Sequence, residues 1–256
     1  MNNKMTRPLA LVTNDDGIES CFLQALIQAL ETEFEVAVAA PKSEQSWVGK
    51  AVSRNREVTV EAFGSKPRQW AIDGTPTDCI NIALDHLLEC QPDIVISGIN
   101  IGYNTTYSLL YSSGTVAGAA EGAAWGIPAM ALSMVVDREL FIALRDNNRE
   151  CPERLVGALQ AAGAHATAYA QKLLNKKTER LSVYNVNYPE GMSQDTLEEV
   201  TKPADIFLGG LFDLKDGVAR FRFREGREFP CDELTDREAL ENGKISITKL
   251  DFRGIA

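Results

Sequence analysis

The sequence predicts an α/β fold: a mostly parallel sheet with helices on both faces. Three observations carry this. Strand-length apolar runs alternate with helix-length periodic segments over the first two-thirds of the chain. The apolar runs are near-continuous, as in strands buried on both faces. Glycine, proline and aspartate punctuate the boundaries between them.

Pro8–Thr13 is the first apolar run and ends in Asn-Asp-Asp-Gly. Phe22–Leu30 has helical spacing, with Phe22, Leu23, Leu26, Ile27 and Leu30 on one face. Phe34–Ala40 is a second strand, stopped by Pro41. Val58–Phe63 and Arg68–Ile72 form an antiparallel pair across a turn at Gly64–Pro67. Thr77–Leu88 is helical, starting at Thr77 or Asp78. Asp93–Ser97 is a third buried strand. Gly114–Trp125 is a small-residue helix, Ala129–Ser133 a fourth strand, Glu153–Leu174 a long helix and Leu181–Val186 a further strand. From about Thr201 the pattern changes to glycines, charges and short β-like runs such as Val218–Phe223 and Lys244–Leu250.

The chain has 256 residues, 45% apolar and 24% charged, close to a globular average. We expect a single domain over 1–256, with residues 1–200 as core and 201–256 as a C-terminal extension. The net charge of −10 argues against nucleic-acid polymers and anionic membranes, which need a basic face. It still allows a small anionic substrate, because a bound cation reverses the local field. Five cysteines, Cys21, Cys79, Cys90, Cys151 and Cys231, form no C-x-x-C pattern. That composition reads as reduced and cytoplasmic. Met1 to Pro8 is polar and lacks the apolar run of a secretory signal. Ala117–Val136 is apolar-rich, but Glu121, the glycines and Pro128 make it a buried helix followed by a strand rather than a membrane span.

Ligands of open parallel sheets bind beyond the carboxyl ends of the strands. Three such ends are polar here: Asn14-Asp15-Asp16-Gly17, Pro41-Lys42-Ser43-Glu44-Gln45-Ser46, and Ser97-Gly98-Ile99-Asn100 followed by Gly102 and Asn104. An isolated Asp-Asp-Gly is most often a turn or a cap. Asp15 and Asp16, however, lie between a strand and a helix, beside two other polar strand ends. Adjacent carboxylates repel unless a cation sits between them. Carboxylate, hydroxyl and amide oxygens suit Mg²⁺ or Mn²⁺. The only histidines, His86 and His165, lie in helical segments away from these ends, which disfavours a zinc site.

Ser113-Gly114-Thr115 opens a helix, where free N–H groups and hydroxyls make an anion site. Ordinary capping by Ser113 or Thr115 is the plainer alternative. Asp73–Cys79 is a connection or a pocket wall. Cys79 reads as a buried small residue, with nothing basic beside it.

These motifs, in this order, resemble the SurE (survival protein E) nucleotidase family. The resemblance rests on Leu11–Ile18, Ala40-Pro41 with Gln45-Ser46, and Asp73–Cys79. It continues through Pro92-Asp93, Ser97–Asn100, Gly102, Asn104 and Ser113–Thr115 to Glu121-Gly122 and Gly126–Pro128. Weaker echoes are Asn185–Asn187 and the segment from Thr235 to Thr248. It covers nearly the whole chain. It implies a Rossmann-like three-layer core with a hairpin-bearing C-terminal segment used in homodimer or homotetramer contacts. It also implies one divalent cation per subunit and hydrolysis of nucleoside 5′- and 3′-monophosphates, with short polyphosphate as a further substrate. The metal ligands would be Asp15, Asp16, Ser46 and Asn100. The phosphate would be held by Asn104, Ser113, Gly114 and Thr115, and the catalytic pair would be Asp15 and Asn104. The chain departs from the family at Cys21-Phe22, Trp47, Lys50–Ser53 and the Tyr107–Tyr111 loop.

Three other readings compete. A non-catalytic nucleotide-binding domain would have little use for paired carboxylates. A metal-dependent hydrolase of another ester or amide bond would not need the helix-start anion site. A dinucleotide oxidoreductase would need G-x-G-x-x-G after the first strand, where this chain has Asn-Asp-Asp-Gly.

Overall fold

The structure is a computed structural model that describes residues 7–255 apart from 67, 178 and 225. Residues 1–6, most of the polar N-terminal stretch, and Pro67 of the expected turn lie outside the described residues.

β1 (Leu9–Thr13) sits inside the central sheet and pairs in parallel with β2 (Glu35–Pro41). The hairpin of β3 (Val60–Ala62) and β4 (Gln69–Ile72) extends the β2 edge. On the other side β1 pairs with β5 (Ile94–Ile101), followed by β6 (Ala129–Met134) and β7 (Ser182–Tyr188), all parallel. After β8 (Glu198–Val200), the chain makes the short pair of β9 (Ile206–Phe207) with β12 (Arg227–Glu228). Between these two strands lies an arm, the hairpin of β10 (Phe212–Lys215) and β11 (Val218–Phe221). β13 (Ile245–Asp251) then returns to the central sheet, antiparallel to β7 and parallel to β8. Among the described residues the sheet order is β3-β4-β2-β1-β5-β6-β7-β13-β8. Successive connections leave β1 in opposite directions, to β2 and to β5, so the sheet has its switch point between β1 and β5.

Alternation along each strand divides the core. Ala10, Val12, Ile94, Ile96, Met130 and Leu132 face α1 (Cys21–Leu30) and α6 (Glu153–Leu174). Leu9, Leu11, Ala37, Val95, Ala129 and Ala131 face α2 (Pro76–Ile82) and α4 (Gly114–Ala124). The small residues of α4 allow close approach to the sheet. A Cβ on Gly122 would stand 2.6 Å from the Val95 side chain.

Several boundaries differ from expectation. The helix expected from Thr77 or Asp78 begins at Pro76, because Thr75 caps it. The Thr75 hydroxyl accepts from Asp78 N at 3.2 Å and Thr75 N donates to Asp78 Oδ2 at 2.9 Å, a reciprocal capping box. A π-helical turn (Ala83–Leu87) then continues it. The third strand runs past Ser97 to Ile101, with a register shift against β6 between Ser97 and Asn100. Among the described residues three α-helices were not expected, α3 (Thr106–Ser112), α5 (Arg138–Asp146) and α7 (Asp236–Glu241). Ala117–Val136 is indeed helix α4 followed by strand β6. Among the described residues no helix is long and apolar enough to cross a membrane.

The C-terminal part is tied to the core by a buried aspartate at the start of α7 (Asp236–Glu241). Asp236 accepts from Ala204 N at 2.9 Å and from Thr106 N at 3.0 Å. Burial pushes its carboxyl up to about 6, although these backbone donors favour its charged form. The folded chain thus holds this proton more tightly than the unfolded chain does. The resulting stability is full below the ordinary value near 3.8 and is lost as pH rises through about 6. Asp236→Ala leaves two buried N–H groups without an acceptor. We expect a loss of about 2–4 kcal/mol and a melting temperature roughly 5–15 °C lower, read by thermal denaturation at neutral pH.

Candidate active site

The carboxyl ends of β1 and β5 meet at the switch point, and both aspartates lie there. Asp15 and Asp16 are buried. The Thr115 hydroxyl donates to Asp15 Oδ1 at 2.7 Å, and Ile101 N donates to Asp16 Oδ2 at 3.0 Å. So β1, β5 and the first turn of α4 converge on one acidic centre. Burial pushes the Asp15 carboxyl up to about 6, against the hydroxyl and backbone bonds from Thr115. Burial, and then the Asp15 charge, hold Asp16 well above the usual carboxylate range. Exposed Glu44 adds repulsion to both.

The loop itself is held from several sides. Asn14 Nδ2 donates to Gly17 O at 2.9 Å and closes the turn. Gln45 N donates to Asp15 O at 2.7 Å, and the half-buried Ser46 follows Gln45 in the chain. Asn148 Nδ2 donates to Asp16 O at 2.9 Å. Asn100 is buried next to Ile101 on the irregular end of β5.

Gly114 occupies a position that admits no side chain. A Cβ there would stand 2.9 Å from Asp15 Cβ, 3.0 Å from Asp15 Oδ2 and 3.0 Å from Gln45 O. The N-terminus of α4 therefore presses directly on the acidic pair, where its partial positive charge favours anions. Ser113 caps it, its hydroxyl accepting from Val116 N at 3.1 Å.

Asn104 is buried behind Thr115. Its Nδ2 donates to the Thr115 hydroxyl at 3.2 Å and to Ser133 Oγ at 2.9 Å. Asn104 N donates to Asn187 Oδ1 at 2.8 Å, and Asn185 Nδ2 donates to Asn104 O at 2.8 Å. A polar chain thus runs from β7 and β6 through Asn104 and Thr115 to Asp15. Sequence reasoning did not assign Ser133, Glu44 or Asp236 to a site. It noted Asn185 and Asn187 only as an echo. Their alternation on β7, and Ser133 near the end of β6, are the signals that point here: polar side chains inside apolar strands need buried partners.

Asp73–Cys79 buttresses the adjoining loop. The Thr75 hydroxyl donates to Ala51 O at 2.7 Å, and Ser53 N donates to Asp78 Oδ1 at 3.1 Å. Lys50 forms an ion pair with Glu121 of α4. Cys79 is fully buried and its thiol is pushed up by burial, which keeps it protonated. Among the described residues no three His, Cys, Asp or Glu side chains gather as a metal cage.

Fold and centre together define a doubly wound α/β protein with a buried acidic site at the switch point of its sheet. The model of the family "Survival protein SurE" matches residues 10–206. The chain is 35% identical to the 5′-nucleotidase SurE of Pelobacter propionicus, covering 94% of this chain and 92% of that protein. It is 32% identical to the 5′-nucleotidase SurE of Haloarcula marismortui, covering 96% and 89%. The crystal structure of the SurE protein from Aquifex aeolicus superposes with a TM-score of 0.74 at 28% identity, covering 95% of this chain and 93% of that one. The chain belongs to the SurE family.

Proposed function

We infer that this protein is a 5′-nucleotidase that releases phosphate from nucleoside monophosphates. The observation that carries this is the first turn of α4 pressed against Asp15. It sets a phosphate-type anion site in contact with a buried acidic pair. The curated relatives named above are 5′-nucleotidases over nearly their whole length. Nucleoside 3′-monophosphates and short polyphosphate are further substrates of the same reading.

A divalent cation, Mg²⁺ or Mn²⁺, fits the donors present. Asp15 and Asp16 would hold it, with Ser46 and Asn100 completing an all-oxygen set. That set leaves positions for water and phosphate, as Mg²⁺ prefers. The buried acidic pair supports this, since both carboxyls are raised by burial and Asp16 also by its neighbour. When bound, the cation would supply charge neutralisation and a more acidic water. Asp15 Oδ1 is engaged by Thr115, while Oδ2 borders the space that a side chain at Gly114 would fill. Asp15 thereby orients the attacking water from Oδ2. Asn104, Ser113, Gly114 and Thr115 hold the phosphate, and the start of α4 offsets charge on its equatorial oxygens. Covalent attack by Asp15 is the alternative route, which trapping of an aspartyl-phosphate during turnover would reveal.

The protein works in this reading as a cytoplasmic homodimer or homotetramer assembled through the C-terminal arm. Exposed Phe212, Leu214 and Val218 on the β10–β11 hairpin support that.

The metal assignment has a direct readout without activity. Mg²⁺ or Mn²⁺ at a hundred times its dissociation constant is expected to add about 2.7 kcal/mol of stability. The melting temperature should rise by several degrees, and EDTA should reverse the rise. Asp16→Asn should abolish the shift. A shift of equal size in that variant would place the cation elsewhere.

A further inference from the structure

Trp47 follows Ser46 and lies two residues from Gln45, whose N–H donates to Asp15 O at 2.7 Å. Two residues of chain span at most about 7 Å, so this indole starts beside the acidic centre. Its backbone lies in the left-handed region, at φ 63°. A bulky side chain keeps that conformation only where its surroundings enforce it, and such positions cluster at ligand sites.

The surroundings are visible. Gly49 N donates to Ser112 O at 2.9 Å, which ties the loop to α3. The indole meets Phe221 edge-on with centroids 5.0 Å apart, and Phe223 at 6.2 Å. Both phenylalanines belong to the β10–β11 arm and the segment just after it. Yet the cluster is not a core: Trp47 keeps 42% of its surface exposed, Phe221 49% and Phe223 43%. The chain thus bears backbone strain and recruits two rings from a distant segment to steady an indole that stays open to solvent.

A steadied, open indole beside an acidic anion site matches the layout of a nucleotide, whose phosphate and planar base lie at opposite ends. Every base offers a π-face, so stacking tolerates base identity. We propose that Trp47, backed by Phe221 and Phe223, is the stacking platform for the base of the nucleoside monophosphate. It makes efficiency depend on the presence of a base rather than on which base is present. This rests on the nucleotidase reading above.

The test compares kcat/KM for AMP with that for ribose 5-phosphate, which lacks the base. The proteins are the full-length wild type, Trp47→Gly and Trp47→Phe, all with Mn²⁺. Glycine suits the positive φ at this position, so Trp47→Gly removes the ring while relieving the backbone. A thermal melt and a solution mass confirm fold and assembly for each protein. The ratio of the two efficiencies is expected to fall about 5- to 150-fold in Trp47→Gly, equivalent to ~1–3 kcal/mol of stacking. The loss should lie mainly in the KM for AMP, and Trp47→Phe should recover most of it. An equal loss on both substrates, or an unchanged ratio with an altered solution mass, overturns the platform and assigns Trp47 to loop structure or subunit contact. The nucleotidase reading survives that result. Wild-type protein that releases phosphate from neither ester overturns the nucleotidase reading, and the platform with it.

Discussion

Asp15→Asn is expected to lower phosphate release from AMP by at least about 10³-fold, roughly 4 kcal/mol of transition-state stabilisation. The fold should be intact. An asparagine oxygen still accepts from the Thr115 hydroxyl, which donates to Asp15 Oδ1 at 2.7 Å. Asp16→Asn should match it, since its oxygen can still accept from Ile101 N. Stability has a definite sign as well. Asp16 is raised by burial and by the charge of Asp15. Removing either charge relieves the metal-free protein at neutral pH. Its melting temperature without metal should hold or rise while activity disappears. Steady-state kinetics with Mg²⁺ and Mn²⁺, together with a thermal melt, read both quantities. Wild-type rates in either variant would remove the acidic pair from the chemistry.

Gly114→Ala is the second large effect, though it adds only one methyl group. Its Cβ would meet Asp15 Cβ at 2.9 Å, Asp15 Oδ2 at 3.0 Å and the Gln45 carbonyl at 3.0 Å. Two of these contacts involve the acidic side chain and the third is backbone, so no flexible chain end can yield. Either α4 retreats from β1 or Asp15 turns away from Thr115. A shift of about 1 Å at a reacting centre costs on the order of 10²-fold, and that loss in kcat is the expected result. Ala117→Gly, further along the same helix, serves as a control for altered helix propensity. A Gly114→Ala enzyme with normal kcat would show that the contact between helix and carboxylate is not used.

Much of this architecture is legible in the residues. The buried strands are apolar runs because both faces are covered, and Glu153–Leu174 shows its helical period over its full length. The polar strand ends stand out because buried strands otherwise exclude charge. Other elements are local but were hidden. α3 begins at Thr106 with φ 66°, and its start is secured by Asp236 rather than by its own cap. The helix that carries Cys79 starts early because Thr75 and Asp78 satisfy each other across Pro76. The family resemblance makes Asn104 a holder of phosphate; its amide also donates to the hydroxyls of Thr115 and Ser133. In this structure it positions Thr115 against Asp15.

By itself the sequence determined the fold class, the residue chemistry of the Asp15–Asp16 pair and the family to which the chain belongs. These follow from composition, period and motif order, all carried by short stretches of chain. The tertiary structure decided that β1 and β5 are neighbours at the switch point, and so that Asp16 meets Ile101 and Asp15 meets Thr115. It also placed Ile245–Asp251 within the central sheet and brought Phe221 against Trp47. Such pairings join segments far apart in the chain. They depend on which buried surfaces fit together, and no local window of sequence encodes that fit.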